Sequence, residues 1–239
     1  MKKRESGRRV GYLCALLAGL AVVLFLNVNR VQAAESLALF SFENAKDLKV
    51  GKGEKIDLSG DVKATGWKSS NPKVVKVSKK GVVSALKTGK AVVSAKINGK
   101  KKECQVTVAK DAVKASGYLK KAYRTWECPE SGKKAEIKSG KFLDGLKIIL
   151  LNIEKQNDDD VEYKSCKKIT AVEEDESGAT VYFEATGVLN GKERSFPCTA
   201  VFTDDYEYEK YDYALMMQPV LWITDEGKLL YGAGSFWYA

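Results

Sequence analysis

Residues 89–108 read GKAVVSAKINGKKKECQVTV, and the fold class follows from how this stretch divides. In Ala91-Val-Val-Ser-Ala-Lys-Ile97, and again in Cys104-Gln-Val-Thr-Val108, positions alternate with the period of a strand that buries one face. Between the two runs stands Asn98-Gly99, the pair that most readily takes the positive φ values of a two-residue hairpin turn. The spacing predicts strands over Ala91–Ile97 and Glu103–Val108, folded back on each other as a β-hairpin.

The same pattern extends outward on the N-terminal side. Lys46–Val50 precedes Gly51-Lys52-Gly53, and Lys55–Leu58 precedes Ser59-Gly60-Asp61. Val74, Val75 and Val77 precede Lys79-Lys80-Gly81, and Val82–Leu86 precedes Lys87-Thr88-Gly89. Short strands separated by glycine-bearing turns predict a small antiparallel β-sandwich. Trp67 is large enough to fill much of such a core.

Five blocks carry a resemblance. Gly66-Trp67-Lys-Ser-Ser-Asn-Pro72, Val74-Val-Lys-Val77, Lys80-Gly81-Val-Val-Ser-Ala-Leu86, Thr88-Gly89-Lys-Ala-Val-Val-Ser-Ala95 and Cys104-Gln-Val-Thr-Val108 follow one another at fixed spacing. In order and spacing, residues 40–109 resemble the bacterial immunoglobulin-like domain, group 2. The resemblance implies an immunoglobulin-like β-sandwich of bacterial surface and cell-adhesion proteins, serving as a spacer or adhesion module. It implies no catalytic residue and no ligand site. The lysine runs, such as Lys100-Lys-Lys102, depart from the family pattern.

Beyond residue 110 the composition changes. Residues 111–117 read as a linker, and Tyr118–Trp126 as a short helix ended by Cys128-Pro129. Over Phe142–Gln156, Leu143, Leu146, Leu150 and Ile153 recur at near-helical spacing, which predicts a helix. Ile148, Ile149 and Leu151 widen that face and leave a buried strand open. Strand-like runs follow over Glu162–Val172, Ala179–Leu189 and Glu193–Phe202, the last two joined by Asn190-Gly191. Tyr206–Met217 reads as strand or helix, and Val220–Thr224 with Lys228–Tyr231 as a terminal hairpin. The whole chain is expected to be mainly β: an immunoglobulin-like β-sandwich over 34–110, then an acidic α+β domain over 118–239, an antiparallel meander with one main helix.

The 239 residues hold 40 Lys+Arg against 31 Asp+Glu, a formal charge of +9, and no histidine. Without histidine, Ser-His-Asp and Cys-His hydrolysis, imidazole acid–base chemistry and His metal sites are excluded. The charge is unevenly placed. Residues 1–33 carry +5, residues 34–110 carry 17 Lys against 7 acids for +10, and residues 111–239 carry −6. The total is therefore no sign of nucleic-acid binding. The lysines have two readings: a solvated face that keeps sheet edges apart, or attraction to an anionic wall polymer or membrane surface.

Residues 1–33 combine a cationic start with an uncharged run, Val10–Leu26. This is the pattern of a secretory signal peptide, and Val31 and Ala33 suit cleavage after Ala33. An uncleaved N-terminal membrane anchor is the alternative, since the run is near the lower limit for a membrane helix. Either way the rest of the chain is expected outside the cytoplasmic membrane, touching it only through this segment.

The candidate sites are few. Tyr206, Tyr208, Tyr211 and Trp237, within an aromatic C-terminal part, could stack on sugars or a partner protein, or could fill the core. Asp158–Asp160 could hold calcium, but without EF-hand spacing acidic turns are the simpler reading. Cys128, Cys166 and Cys198 could supply one disulfide. No phosphate loop, nucleophile elbow or metal-spaced cluster occurs in the sequence, so no catalytic residue, metal or cofactor is assigned. The expected role is a non-catalytic one in adhesion, binding or display. The partner would be a cell-wall polymer, a glycan or a host or neighbouring surface protein. The alternative is a small extracellular glycan-acting enzyme built on paired carboxylates.

Overall fold

In the computed structural model, residues 42, 45, 47–59, 63–153, 161–189, 191–204, 211–223, 228–231 and 234–239 are described, with 220–223 and 228–231 through the backbone alone. Residues 1–33, Asp158–Asp160, Tyr206 and Tyr208 lie outside the described residues. The first half contains β1 (Asp47–Gly51), β2 (Lys55–Asp57), β3 (Ala64–Ser69), β4 (Val75–Val77), β5 (Val82–Ala85), β6 (Gly89–Ile97) and β7 (Lys100–Ala109). A one-turn helix α1 (Ala112–Ala115) and a 3₁₀ turn (Tyr118–Ala122) follow, then β8 (Thr125–Cys128), β9 (Lys133–Glu136) and helix α2 (Phe142–Leu151). The rest is β10 (Val161–Glu174), β11 (Gly178–Leu189), β12 (Lys192–Thr203), β13 (Ala214–Ile223), β14 (Lys228–Tyr231) and β15 (Ser235–Tyr238). The protein is mainly β.

Asn98 and Gly99 take φ values of 49° and 78°, and Ile97 pairs with Lys100. This is the two-residue hairpin their chemistry predicts. The register correction is at the far side of the turn: β7 begins at Lys100, not Glu103, so the three lysines belong to the strand. Leu189 likewise pairs with Lys192, and Gly191 between them takes a φ of 73°. The face predicted from Phe196, Cys198, Ala200 and Phe202 is buried throughout.

Two helix readings change. Tyr118–Trp126 is only a 3₁₀ turn, after which Trp126 enters β8. Its ring packs edge-on against Phe202 at 5.5 Å, and its Nε1–H donates to the Ala122 carbonyl at 3.0 Å. Burial of the indole outweighs local helix continuation here. α2 stops at Leu151 rather than Gln156, with the Asn152 side chain donating to the Ile148 carbonyl at 2.9 Å. Its buried face is Phe142, Leu146, Ile149 and Leu150, while Ile148 and Leu151 are exposed.

The strands form a long sheet in the order β3-β6-β7-β1-β10-β11-β12-β13-β15-β8-β9, with β14 paired to β13, and a small sheet β2-β5-β4. The long sheet does not stop at the composition boundary near residue 110. β1 pairs with β7 in parallel and with β10 antiparallel. One core packs Leu48, Val50, Val93, Val106 and Val108 of the long sheet against Ile56, Val75 and Val83 of the small one. The other packs α2 and Trp126 against Val181, Phe183, Phe196, Cys198, Phe202, Leu215 and Trp237.

These cores occupy opposite faces of the long sheet. Ala171 and Tyr182 belong to the first and Val172 and Val181 to the second, and neighbouring residues on a strand point to opposite faces. Where β10 and β11 are covered on both sides, Thr170-Ala-Val172 and Val181-Tyr-Phe183 are buried without alternation.

Lys49 pins the crossing. It is 5% exposed, and its Nζ lies 2.6 Å from Asp47 and 2.9 Å from Glu174. Asp47 and Glu174 face each other across the β1–β10 ladder, so both carboxylates reach the same ammonium. Glu174 also accepts from the Ser116 hydroxyl and from the N–H groups of Gly117 (3.3 Å) and Tyr118 (3.2 Å). Burial pushes the Glu174 carboxyl up, but Ser116, Lys49 and the Tyr118 N–H outweigh it and hold it below the ordinary range. Residues 111–117 are thus fastened to β10. Asp111 caps α1 by accepting from the Lys114 N–H at 3.1 Å.

Candidate functional site

Parallel strands end at the same edge. Gly51 pairs with Ala109, so Lys52 and Lys110 leave the sheet side by side, and the Lys52 N–H donates to the Ala109 carbonyl at 2.8 Å. β10 flanks β1 on its other side, and a register shift between Cys166 and Lys168 brings Lys167 and Lys168 to the same region. Lys114 of α1 and Lys141, at the start of α2, complete a cleft of about 410 Å³ that Tyr123 and the acids Glu54, Asp111 and Asp144 also line.

Three of the six lysines are engaged. Lys168 pairs with Glu54 at 2.7 Å, Lys167 with Glu184 at 3.5 Å, and Lys114 with Asp111 at 3.9 Å. Lys52, Lys110 and Lys141 are exposed and make no ion pair among the described residues. Tyr123 is half-buried, its ring set edge-on to Phe142 at 6.2 Å. The cleft therefore offers net positive charge beside an aromatic side chain, three open lysines against Asp144, the one lining acid unpaired among the described residues. Such a surface attracts anions, and a concave wall focuses the field.

A second concavity, of about 320 Å³, is lined by Glu173, Glu174 and Asp175 with Ser177 and Thr203. Its acids are held by local partners. Asp175 accepts from the Ser177 hydroxyl (2.9 Å) and the N–H groups of Ser177 (2.9 Å) and Gly178 (3.0 Å), closing the β10–β11 turn. Glu173 projects from the face opposite Glu174 and accepts from the Tyr182 hydroxyl at 3.0 Å. Burial raises the Glu173 carboxyl, partly offset by that hydrogen bond. Paired-carboxylate hydrolysis needs two carboxyl groups facing one substrate, and Glu173 and Glu174 face away from each other.

The described residues singled out from sequence do not form one site. Trp237 is fully buried in the second core, its Nε1–H donating to the Ser235 hydroxyl at 3.2 Å. Its indole fills the interior and presents no stacking face. Tyr211 stacks on Tyr238 with centroids 5.4 Å apart. Tyr238 follows Trp237 on β15, so the two point to opposite faces. The described cysteines form no disulfide. Cys166 pairs with Ala185 and Cys198 with Phe183, so β11 separates them by two strand spacings, about 9–10 Å, beyond disulfide reach. Burial raises the Cys104 and Cys166 thiols to about 12, which keeps them protonated and unreactive.

Sequence reading missed Lys52, Lys110, Lys141 and Tyr123 as a group. They span residues 52 to 141, and nothing local links them; the β1–β7 pairing sets Lys52 beside Lys110, and α2, packed on β10, brings Lys141 and, through Phe142, Tyr123. Comparison with protein-family models finds no match for the chain, and no curated protein matches it.

Proposed function

We propose that this chain is an exported bacterial protein, secreted or held at the cell surface, whose role is binding, adhesion or display rather than catalysis. In this reading residues 1–33 direct export, by cleavage after Ala33 or by retention as an anchor. Residues 34–110 form a group 2 bacterial immunoglobulin-like sandwich acting as spacer, and residues 118–239 an acidic α+β domain. The quoted motif blocks and the two sheets that share the first core support the sandwich.

The observation that carries the function is the lysine-lined cleft, whose walls come from both halves and whose open ammonium groups suit an anionic surface component. The test has two parts. Amino-terminal sequencing of the exported protein should begin at Ala34 or, for the anchored form, find the chain in the membrane fraction; a cytoplasmic chain overturns the reading. Purified cell wall should retain the exported protein, and retention should fall as salt screens the charges. Retention that is absent, or indifferent to salt, overturns the binding role.

A further inference from the structure

Resting on that reading, we propose that the cleft is the binding site for an anionic glycan, a sugar polymer carrying phosphodiesters, held by Lys52, Lys110 and Lys141 with Tyr123 against a sugar ring. Five observations lead to this. The parallel β1–β7 pairing sets the backbones of Lys52 and Lys110 side by side at one strand edge, so both can meet the same anion. Lys141, at the start of α2, lines the same cleft, so the three lysines reach it from separate segments of the chain.

Lysine meets a phosphate as a compact point charge, whereas planar carboxylates are better matched by the arginine fork; the cleft lining contains lysines and no arginine. Tyr123 adds a half-buried aromatic surface to this charged wall, the amphipathic partner that a sugar face requires. A volume of about 410 Å³ admits a few units of a chain. A bilayer surface is flat and cannot follow these residues into a concavity.

The test compares the exported protein with Lys52→Gln/Lys110→Gln/Lys141→Gln and with a charge-matched control, Lys76→Gln/Lys79→Gln/Lys80→Gln, whose lysines are exposed and outside the cleft. The probe is a purified wall glycopolymer carrying phosphodiesters; neutral dextran, inorganic polyphosphate and anionic lipid vesicles are run beside it. The cleft variant should bind the glycopolymer about tenfold more weakly, the size expected for three exposed ion pairs lost together, and the control close to wild type.

Equal losses in both variants overturn the site, because they reduce the effect to overall charge. Polyphosphate or vesicles bound as tightly as the glycopolymer overturn the glycan assignment. Wild-type binding by the cleft variant, with cell-wall retention intact, overturns the cleft alone and leaves the binding role standing. Loss of retention by the wild-type protein removes both. Unchanged thermal unfolding of the two variants, expected for exposed lysines without ion pairs, shows that the comparison is made between folded proteins.

Discussion

The lysine-rich half and the acidic half of this protein use the same sheet from opposite sides. In the first, β1, β6 and β7 press one face against a small second sheet. In the second, the opposite face of β10 to β13 packs on α2 and Trp126. The halves also treat tryptophan differently: Trp67 is half-buried, resting on Phe42 at 4.7 Å, while Trp126 and Trp237 are sealed in. Charge composition divides the chain near residue 110, yet hydrogen bonding does not, because β1 is shared between the two.

The largest effect that tests this contrast comes from the tryptophans. Trp237→Ala should cost about 3–5 kcal/mol in urea unfolding, as expected for emptying a core position. Trp67→Ala, at a half-buried site, should cost roughly half as much; equal losses would erase the distinction between the halves. Next is the seam. Glu174→Ala leaves Lys49 buried with Asp47 alone and releases Ser116 and Tyr118, at a cost of about 3 kcal/mol. Denaturation followed by fluorescence and by circular dichroism should then separate into two transitions, whereas the wild type unfolds in one.

Smaller is the turn at Gly81. Its φ is +87°, and an added Cβ would meet the Trp67 ring at 2.8 Å. Gly81→Ala should lower stability by about 1–2 kcal/mol, and a companion Trp67→Leu should recover part of it, which thermal melts can read.

The smallest effect is one of pH. The folded Glu174 carboxyl sits below its ordinary range, so the folded state favours the ionised form. Its stabilisation is fully present above the unfolded value of about 4.3 and is lost as pH falls through the lower folded value. Melting temperatures of wild type and Glu174→Gln should differ most at neutral pH and converge in acid. Glu173, raised by burial on the opposite face, works the other way: its cost appears as pH rises from the unfolded value toward the folded one. Glu173→Gln should therefore gain stability relative to wild type over that interval, and a shift in the same direction as Glu174→Gln would contradict the two-sided seam.

Much of the strand framework was legible. Asn98-Gly99 announced its hairpin, and Phe196, Cys198, Ala200 and Phe202 declared one buried face. The start of β7 was less legible, because Lys100-Lys-Lys102 reads as loop by composition but pairs as strand, its side chains pointing largely to water. Tyr118–Trp126 misled because a helical local pattern lost to the burial of one indole. The cleft was not legible: its lysines resemble every other exposed lysine until the β1–β7 pairing and the packing of α2 bring them together. Nor was the fate of Trp237, since an aromatic on a strand reads alike whether its face meets water or core.

Turn chemistry and two-residue periodicity depend on neighbours in the chain, so the sequence by itself determined the hairpins, the mainly β class and which residues of a strand share a face. Which strand lies beside which was decided only by the tertiary structure. The backbone N–H and C=O groups of β1 are the same as those of any strand, and their choice of β7 on one side and β10 on the other answers to the cores packed on the two faces. That choice buries Lys49 between Asp47 and Glu174, and it sets Lys52 beside Lys110 at the mouth of the cleft.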